Sequence, residues 1–236
     1  MIRARNSKTL PEFSAVILDL DGLAIDSEST YRNAWQQAGQ HLGYSLEKDL
    51  VDAFEGLSYD RIEKMLAAEF GQTFPFAQFR QTSAAIWHES VERTGIQPMP
   101  GLHSLLALFA HHAIPYCLAT NSDQIHAEKC LRYARLDDAF PMRITRDQVA
   151  APKPAPDIYL AAAARLSANP AHCIVLEDSE TGARAGLEAN MTVTIIANHG
   201  RTPQSLRSQV FAVFEDLHGF RHMLERSFRD DTGRNS

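Results

Sequence analysis

Ala15-Val16-Ile17-Leu18-Asp19-Leu20-Asp21-Gly22 is the stretch whose reading decides the fold. Its first four residues are a continuous apolar run, too short to span a membrane and suited to a strand buried in a parallel sheet. The run ends in two carboxylates at i and i+2, which point the same way from a strand. Gly22 then lets the backbone turn sharply. Open α/β sheets bind their ligands beyond the carboxyl ends of the strands. Two acids held together at that place resist full ionisation unless a cation is near. The pattern calls for a hard divalent metal with acid–base or nucleophilic chemistry. Asp and Gly also favour ordinary turns, so this fragment alone leaves a simple strand-closing turn open.

Outward from that stretch, further strand-like runs lie at Pro115–Thr120, Met142–Thr145, Cys173–Glu177 and Thr192–Ala197. Helical patterns fall between them, at about 101–112, 123–134, 157–167 and 180–189. Strand–helix alternation predicts an α/β class with a doubly wound parallel sheet covered on both faces. The segment from 24 to 97 differs, with helical periodicity and no good strand. Ser27–Leu42 sets Tyr31, Trp35, Ala38 and Leu42 on one face, and Tyr59–Phe70 and Phe76–Thr94 carry similar stripes. The expected organisation is a core of 1–23 and 98–236 around an inserted helical domain, 24–97. Gln97-Pro98-Met99-Pro100-Gly101 is a stiff turn suited to returning the chain to the sheet. Residues 227–236 are polar and are expected to fray.

Composition narrows the function classes. The 236 residues are 44% hydrophobic and 22% charged, ordinary for a globular protein, with a formal net charge of −6. That balance gives no reason to expect a nucleic-acid or membrane surface. No apolar run reaches membrane-spanning length. Residues 1–13 carry Arg3, Arg5 and Lys8 without a long apolar segment, which argues against a secretory signal. Cys117, Cys130 and Cys173 lack metal-type spacing. Cys117 and Cys173 fall inside apolar runs, as core thiols of a reducing cytoplasm do.

Three more strand ends carry matching chemistry. Ala119-Thr120-Asn121-Ser122 opens a helix, where a hydroxyl and main-chain amides suit an anion; Ser122 would equally cap that helix. In Pro152-Lys153-Pro154 the second proline biases Lys153 towards extended backbone and aims a point charge, though a surface lysine would look the same. Glu177-Asp178-Ser179 repeats the acidic pair at a later strand end, where acids also favour a helix start. Gly182 and Gly186 follow at i, i+4 spacing and would let that helix approach its sheet.

Taken in this order, the four motifs resemble the haloacid-dehalogenase-like hydrolase superfamily over residues 14–200. The pattern of that family is DxDG, then Ser or Thr, an isolated Lys, and an acidic pair. Asp26-Ser27-Glu28, Lys153-Pro154-Ala155-Pro156-Asp157 and Glu177-Asp178-Ser179 are similar to the helical-cap branch of β-phosphoglucomutase and related sugar-phosphate and nucleotide phosphatases. The resemblance implies Asp19 as nucleophile and Asp21 as acid–base. It implies Mg²⁺ as cofactor, held by the Asp19 carboxylate, the Asp21 main-chain carbonyl and Asp178, with Glu177 acting through water. Thr120, the Asn121 main-chain amide and Lys153 would cradle the transferring phosphoryl group.

An Asp at position 21 separates phosphate-ester enzymes of the superfamily from its dehalogenases, which lack it. Mutases of this branch carry a cap arginine and a cap histidine; aligned through Gly56-Leu57-Ser58 and through Trp35, those positions are Tyr59 and Tyr31 here. Hydrolysis is therefore favoured over a sugar phosphomutase, with Ser58 and Tyr59 expected to set specificity from a cap closing over the site. The expected protein is a cytoplasmic phosphatase, monomer or weak homo-oligomer, acting on a small phosphate ester with no nucleic-acid or membrane partner. A non-catalytic binding protein on the same fold is the contrasting expectation.

Overall fold

In a computed structural model described over residues 10–54, 57–198 and 204–234, six strands form one parallel sheet. They are β1 (Ala15–Leu18), β2 (Tyr116–Ala119), β3 (Arg143–Ile144), β4 (Cys173–Glu177), β5 (Thr192–Ile196) and β6 (Ala212–Phe214). Their order is β3-β2-β1-β4-β5-β6. The chain winds outward from β1 in one direction through β2 and β3, and in the other through β4 to β6. The β1–β4 boundary is thus the switch point where such sheets bind ligands. The helices are α1 (Ser27–His41), α2 (Lys48–Asp52), α3 (Tyr59–Phe70), α4 (Phe76–Thr94), α5 (Leu102–His111), α6 (Gln124–Tyr133), α7 (Asp157–Arg165), α8 (Glu180–Glu188) and α9 (Leu217–Arg234).

Alternating strand residues Ala15, Ile17, Cys117, Ala119, Cys173 and Val175 share one core with Ile158, Tyr159, Ala162, Ala183 and Ala185 from α7 and α8. Their neighbours Val16, Leu18, Leu118, Ile174 and Leu176 are equally buried, so both faces of the sheet are covered. A β-carbon on Gly186 would lie 2.7 Å from Val193 Cγ2, so α8 lies against the sheet here only because that position is Gly. The three cysteines are free and buried; burial pushes their thiols up in pKa, which marks them as inert packing groups.

Two elements depart from the expectations. The expected fraying over 227–236 is corrected: α9 continues to Arg234, and Asn235 and Ser236 lie outside the described residues. Buried Leu217, Phe220, Met223 and Leu224 form its apolar stripe, and Asp216 Oδ1 accepts from Gly219 N at 2.9 Å at its start. The short strand β6 has no counterpart among the strand-like runs of the sequence; it pairs with β5 through Thr194–Ala212, Ile195–Val213 and Ile196–Phe214.

The chain divides into two compact units, Asp26–Gln97 and the sheet unit built from the chain on either side of it. In the helical unit α1 packs on α4. The Tyr31 and Trp87 rings stack at 5.0 Å, and Trp87 Nε1 donates to Thr30 Oγ1 at 2.8 Å. Trp35, Val51, Phe54, Ile62, Leu66, Phe74 and Phe79 complete its own core. Ser58 is exposed just before α3, and Tyr59, the first residue of α3, is 44% exposed with the Arg80 guanidinium 5.8 Å from its ring centre. Gly56, used in the cap alignment, and Arg3, Arg5 and Lys8 lie outside the described residues.

Candidate active site

The register of the sheet brings the expected residues to one edge. Asp19 follows β1 directly and its N–H donates to Leu176 O of β4 at 3.1 Å. Thr120 follows β2 and its N–H donates to Ile144 O of β3 at 3.0 Å. Glu177 ends β4. Asp19, Thr120, Lys153 and Glu177 are all buried, whereas Asp21 and Asp178 are half-buried.

Lys153 is the hub. Its Nζ contacts Asp19 Oδ1 and donates to Ala119 O at 2.9 Å and to Glu177 Oε1 at 2.7 Å. It also sits 4.7 Å from the centre of the Tyr159 ring, within cation–π range. The Asn121 side chain brackets the lysine main chain: Lys153 N donates to Asn121 Oδ1 at 2.9 Å, and Asn121 Nδ2 donates to Lys153 O at 3.2 Å. The lysine is therefore held at both its main chain and its tip. Burial alone would lower its pKa, but the Asp19 and Glu177 carboxylates outweigh burial and hold it above the ordinary lysine range. The Lys153–Pro154 peptide is cis.

The resemblance has Glu177 reach a metal through water. In the structure its Oε1 accepts from Lys153 and from Tyr159 Oη at 2.6 Å, and its Oε2 accepts from Asp178 N, Ser179 N and Ser179 Oγ. Burial opposes its charge, yet Lys153 and these donors keep its pKa below the usual carboxylate range. Gly182 follows in α8, and a β-carbon there would overlap the Glu177 carboxyl group. That glycine lets α8 approach β4, as its spacing suggests, and the group it makes room for is the Glu177 carboxylate.

Asp19 behaves oppositely. Burial pushes its carboxyl up to about 8; the Lys153 ammonium counteracts this, while Glu177 and Asp21 add to it. With Asp19 ionised, one buried ammonium faces two buried carboxylates, and the excess negative charge is what a cation would balance. Carboxylate oxygens of Asp19, Glu177 and Asp178 lie within 4.8 Å of one another. An all-oxygen, anionic donor set of this kind fits Mg²⁺.

Asp21 Oδ2 accepts from Ser122 Oγ at 2.9 Å and is 3.4 Å from Thr120 Oγ1. The helix-capping alternative for Ser122 is corrected: Asp123 caps α6, accepting from His126 N at 2.8 Å. Sequence reading also passes over Tyr159, whose place in an apolar helical stripe gives the same signal as a core residue.

The switch point of a parallel α/β unit thus carries three acids, a hydroxyl and a buried lysine. The haloacid dehalogenase-like hydrolase profile matches residues 16–196, and the chain belongs to that family. It is similar to fructose-1-phosphate phosphatase of Escherichia coli, 28% identical over 76% of this chain and 94% of the relative. It is also similar to β-phosphoglucomutase of Bacillus subtilis, 30% identical over 75% and 80%. Among solved structures, a family hydrolase from Deinococcus radiodurans with bound phosphate and sodium superposes with a TM-score of 0.82, at 27% identity over 91% of this chain and 96% of the other. Among the described residues no helix is long and apolar enough to cross a membrane.

Proposed function

We propose that this chain is a cytoplasmic, Mg²⁺-dependent phosphatase that hydrolyses a small phosphorylated metabolite through an aspartyl-phosphate. The carrying observation is the buried Asp19 carboxylate in contact with Lys153, with a second acid, Asp21, on the same strand end. Asp19, Asp178 and the Asp21 main-chain carbonyl would hold Mg²⁺, which supplies charge neutralisation between an anionic nucleophile and an anionic phosphate.

An Asp19 oxygen attacks phosphorus, the bond from phosphorus to the ester oxygen breaks, and that oxygen leaves with its electron pair. Asp21 gives it a proton, so a neutral alcohol departs and Asp21 is left as a carboxylate. Asp21 then takes a proton from water. The hydroxide oxygen attacks phosphorus, the bond to Asp19 breaks, and inorganic phosphate leaves with Asp19 restored. Lys153 and the Thr120 hydroxyl stabilise charge on the transferring group. Glu177, with Tyr159, anchors Lys153 rather than reacting. Substrate preference is assigned to the helical unit, at Ser58 and Tyr59.

A phosphate-release screen with Mg²⁺ over sugar phosphates, polyol phosphates, nucleotides and phosphoglycolate tests this. Release by the wild type, lost by several orders of magnitude in Asp19→Asn, supports the reading. No release from any substrate overturns it. The similarity to β-phosphoglucomutase keeps one rival: activity that needs a bisphosphate primer and yields an isomer instead of free phosphate.

A further inference from the structure

We infer that Ser122 is a positioning residue that fixes the Asp21 carboxyl for proton transfer at the leaving oxygen, an inference that rests on the acid–base role proposed for Asp21. The serine stands where a helix cap would be expected, but Asp123 performs that task. Its own main chain is tied on both sides: Ser122 N donates to Thr120 Oγ1 at 3.0 Å, and Ser122 O accepts from Arg146 N at 3.1 Å. The hydroxyl is thereby presented to Asp21 Oδ2 at 2.9 Å.

Two hydroxyls face that oxygen, and each has one hydrogen to give. The Thr120 contact is the longer, at 3.4 Å. When Thr120 donates to the phosphoryl group its hydrogen is committed there, and Ser122 stays on Asp21. A hydroxyl that holds Oδ2 fixes the rotation of the carboxyl group about its Cβ–Cγ bond. Ser122 therefore sets the direction from which Asp21 meets the leaving group. As the ester bond breaks, the proton passes from Asp21 to the alkoxide oxygen, and the same serine hydroxyl stabilises the carboxylate formed at Asp21.

Leaving-group dependence separates this role from a structural one. A nitrophenolate leaves with little proton assistance, whereas an alkoxide needs it. Turnover of 4-nitrophenyl phosphate and of glycerol 2-phosphate is compared for the Mg²⁺-loaded wild type, Ser122→Ala, Ser122→Thr and Asp21→Asn. General acid assistance is worth about 10²–10⁴-fold, so loss of aim in Ser122→Ala should lower kcat/KM for the alkyl ester about tenfold more than for the aryl ester, since that ratio reports transfer to Asp19 and not the later hydrolysis common to both. Ser122→Thr, which keeps the hydroxyl, should restore the alkyl rate, and Ser122→Ala should add no further discrimination in the Asp21→Asn background. Equal losses on the two esters, or full additivity with Asp21→Asn, overturn the inference. If Asp21→Asn itself lowers kcat/KM for both esters equally, the general-acid assignment falls and takes the inference with it. If Asp21→Asn discriminates and Ser122→Ala does not, the role of Ser122 alone is rejected.

Discussion

The Glu177 carboxylate fills the space that a β-carbon on Gly182 would need. Gly182→Ala should therefore push Glu177 off its five donors and loosen Lys153 and Tyr159 with it. Overpacking costs about 1–3 kcal/mol, which the urea midpoint would show, and turnover should fall as well. Gly186→Ala meets Val193 and Val175 instead, so it should lower stability while sparing turnover. Equal effects of both variants on kcat per unit of folded protein would deny Glu177 a special seat.

Metal affinity should depend on pH through Asp19. A proton must leave its carboxyl before a cation binds, and burial has pushed that carboxyl up to about 8. Apparent Mg²⁺ affinity should then climb about tenfold per pH unit below that value and level off above it, the behaviour of one competing proton. Calorimetric titration on either side of that value measures this, and Asp19→Asn should flatten the trend. A wild-type affinity constant across the range would contradict it.

Tyr159→Phe removes the hydroxyl that donates to Glu177 at 2.6 Å but keeps the ring beside Lys153. A buried hydrogen bond to a charged group is worth about 1.5–3 kcal/mol, so stability should drop by that order. Turnover should fall more than KM rises, because Lys153 loses aim while substrate contacts remain. Tyr159→Leu, which also removes the ring, should be worse on both counts; a Phe variant indistinguishable from wild type in melting and turnover would refute the anchoring role.

Tyr59→Arg tests the helical unit. Tyr59 presents an exposed ring with the Arg80 guanidinium beside it, so the substitution would set two cations together. The ratio of catalytic efficiencies on a sugar bisphosphate and its monophosphate should rise. An unchanged ratio would remove Tyr59 from the specificity assignment.

The strand-end chemistry is legible because each motif follows an apolar run that ends abruptly: Asp19 after Leu18, Thr120 after Ala119, Glu177 after Leu176. Spacing of this kind survives in one dimension. Ser122 and Tyr159 are hidden because their local signals, a cap position and an apolar helical stripe, are complete explanations until Asp21 and Glu177 arrive from elsewhere in the chain. Gly182 attracts notice as a close helix–sheet approach, but the i, i+4 pair with Gly186 says nothing about which group fills the gap. The fold shows the same division. Cys173–Glu177 announces itself by continuous burial, whereas β6 has three residues and takes its strand character from pairing with β5. The tail from Ser227 reads as polar and loose because most of the apolar stripe that seats α9 precedes it, although Phe228 within it stacks on His112 at 4.0 Å.

Where the insertion begins and ends, the backbone is clasped to itself. Ile25 bridges both Asp21 and Pro98, Met99 N donates to Ala24 O at 2.9 Å, and Asp26 N donates to Gln97 O at 2.9 Å. The two ends of the loop are held side by side by main-chain bonds that almost any sequence can make, and the cost of closing it grows only slowly with its length. The register of β1 rests on its pairing with β2 and β4, so the length of chain spanned between those clasped ends can vary without disturbing the strand that precedes it.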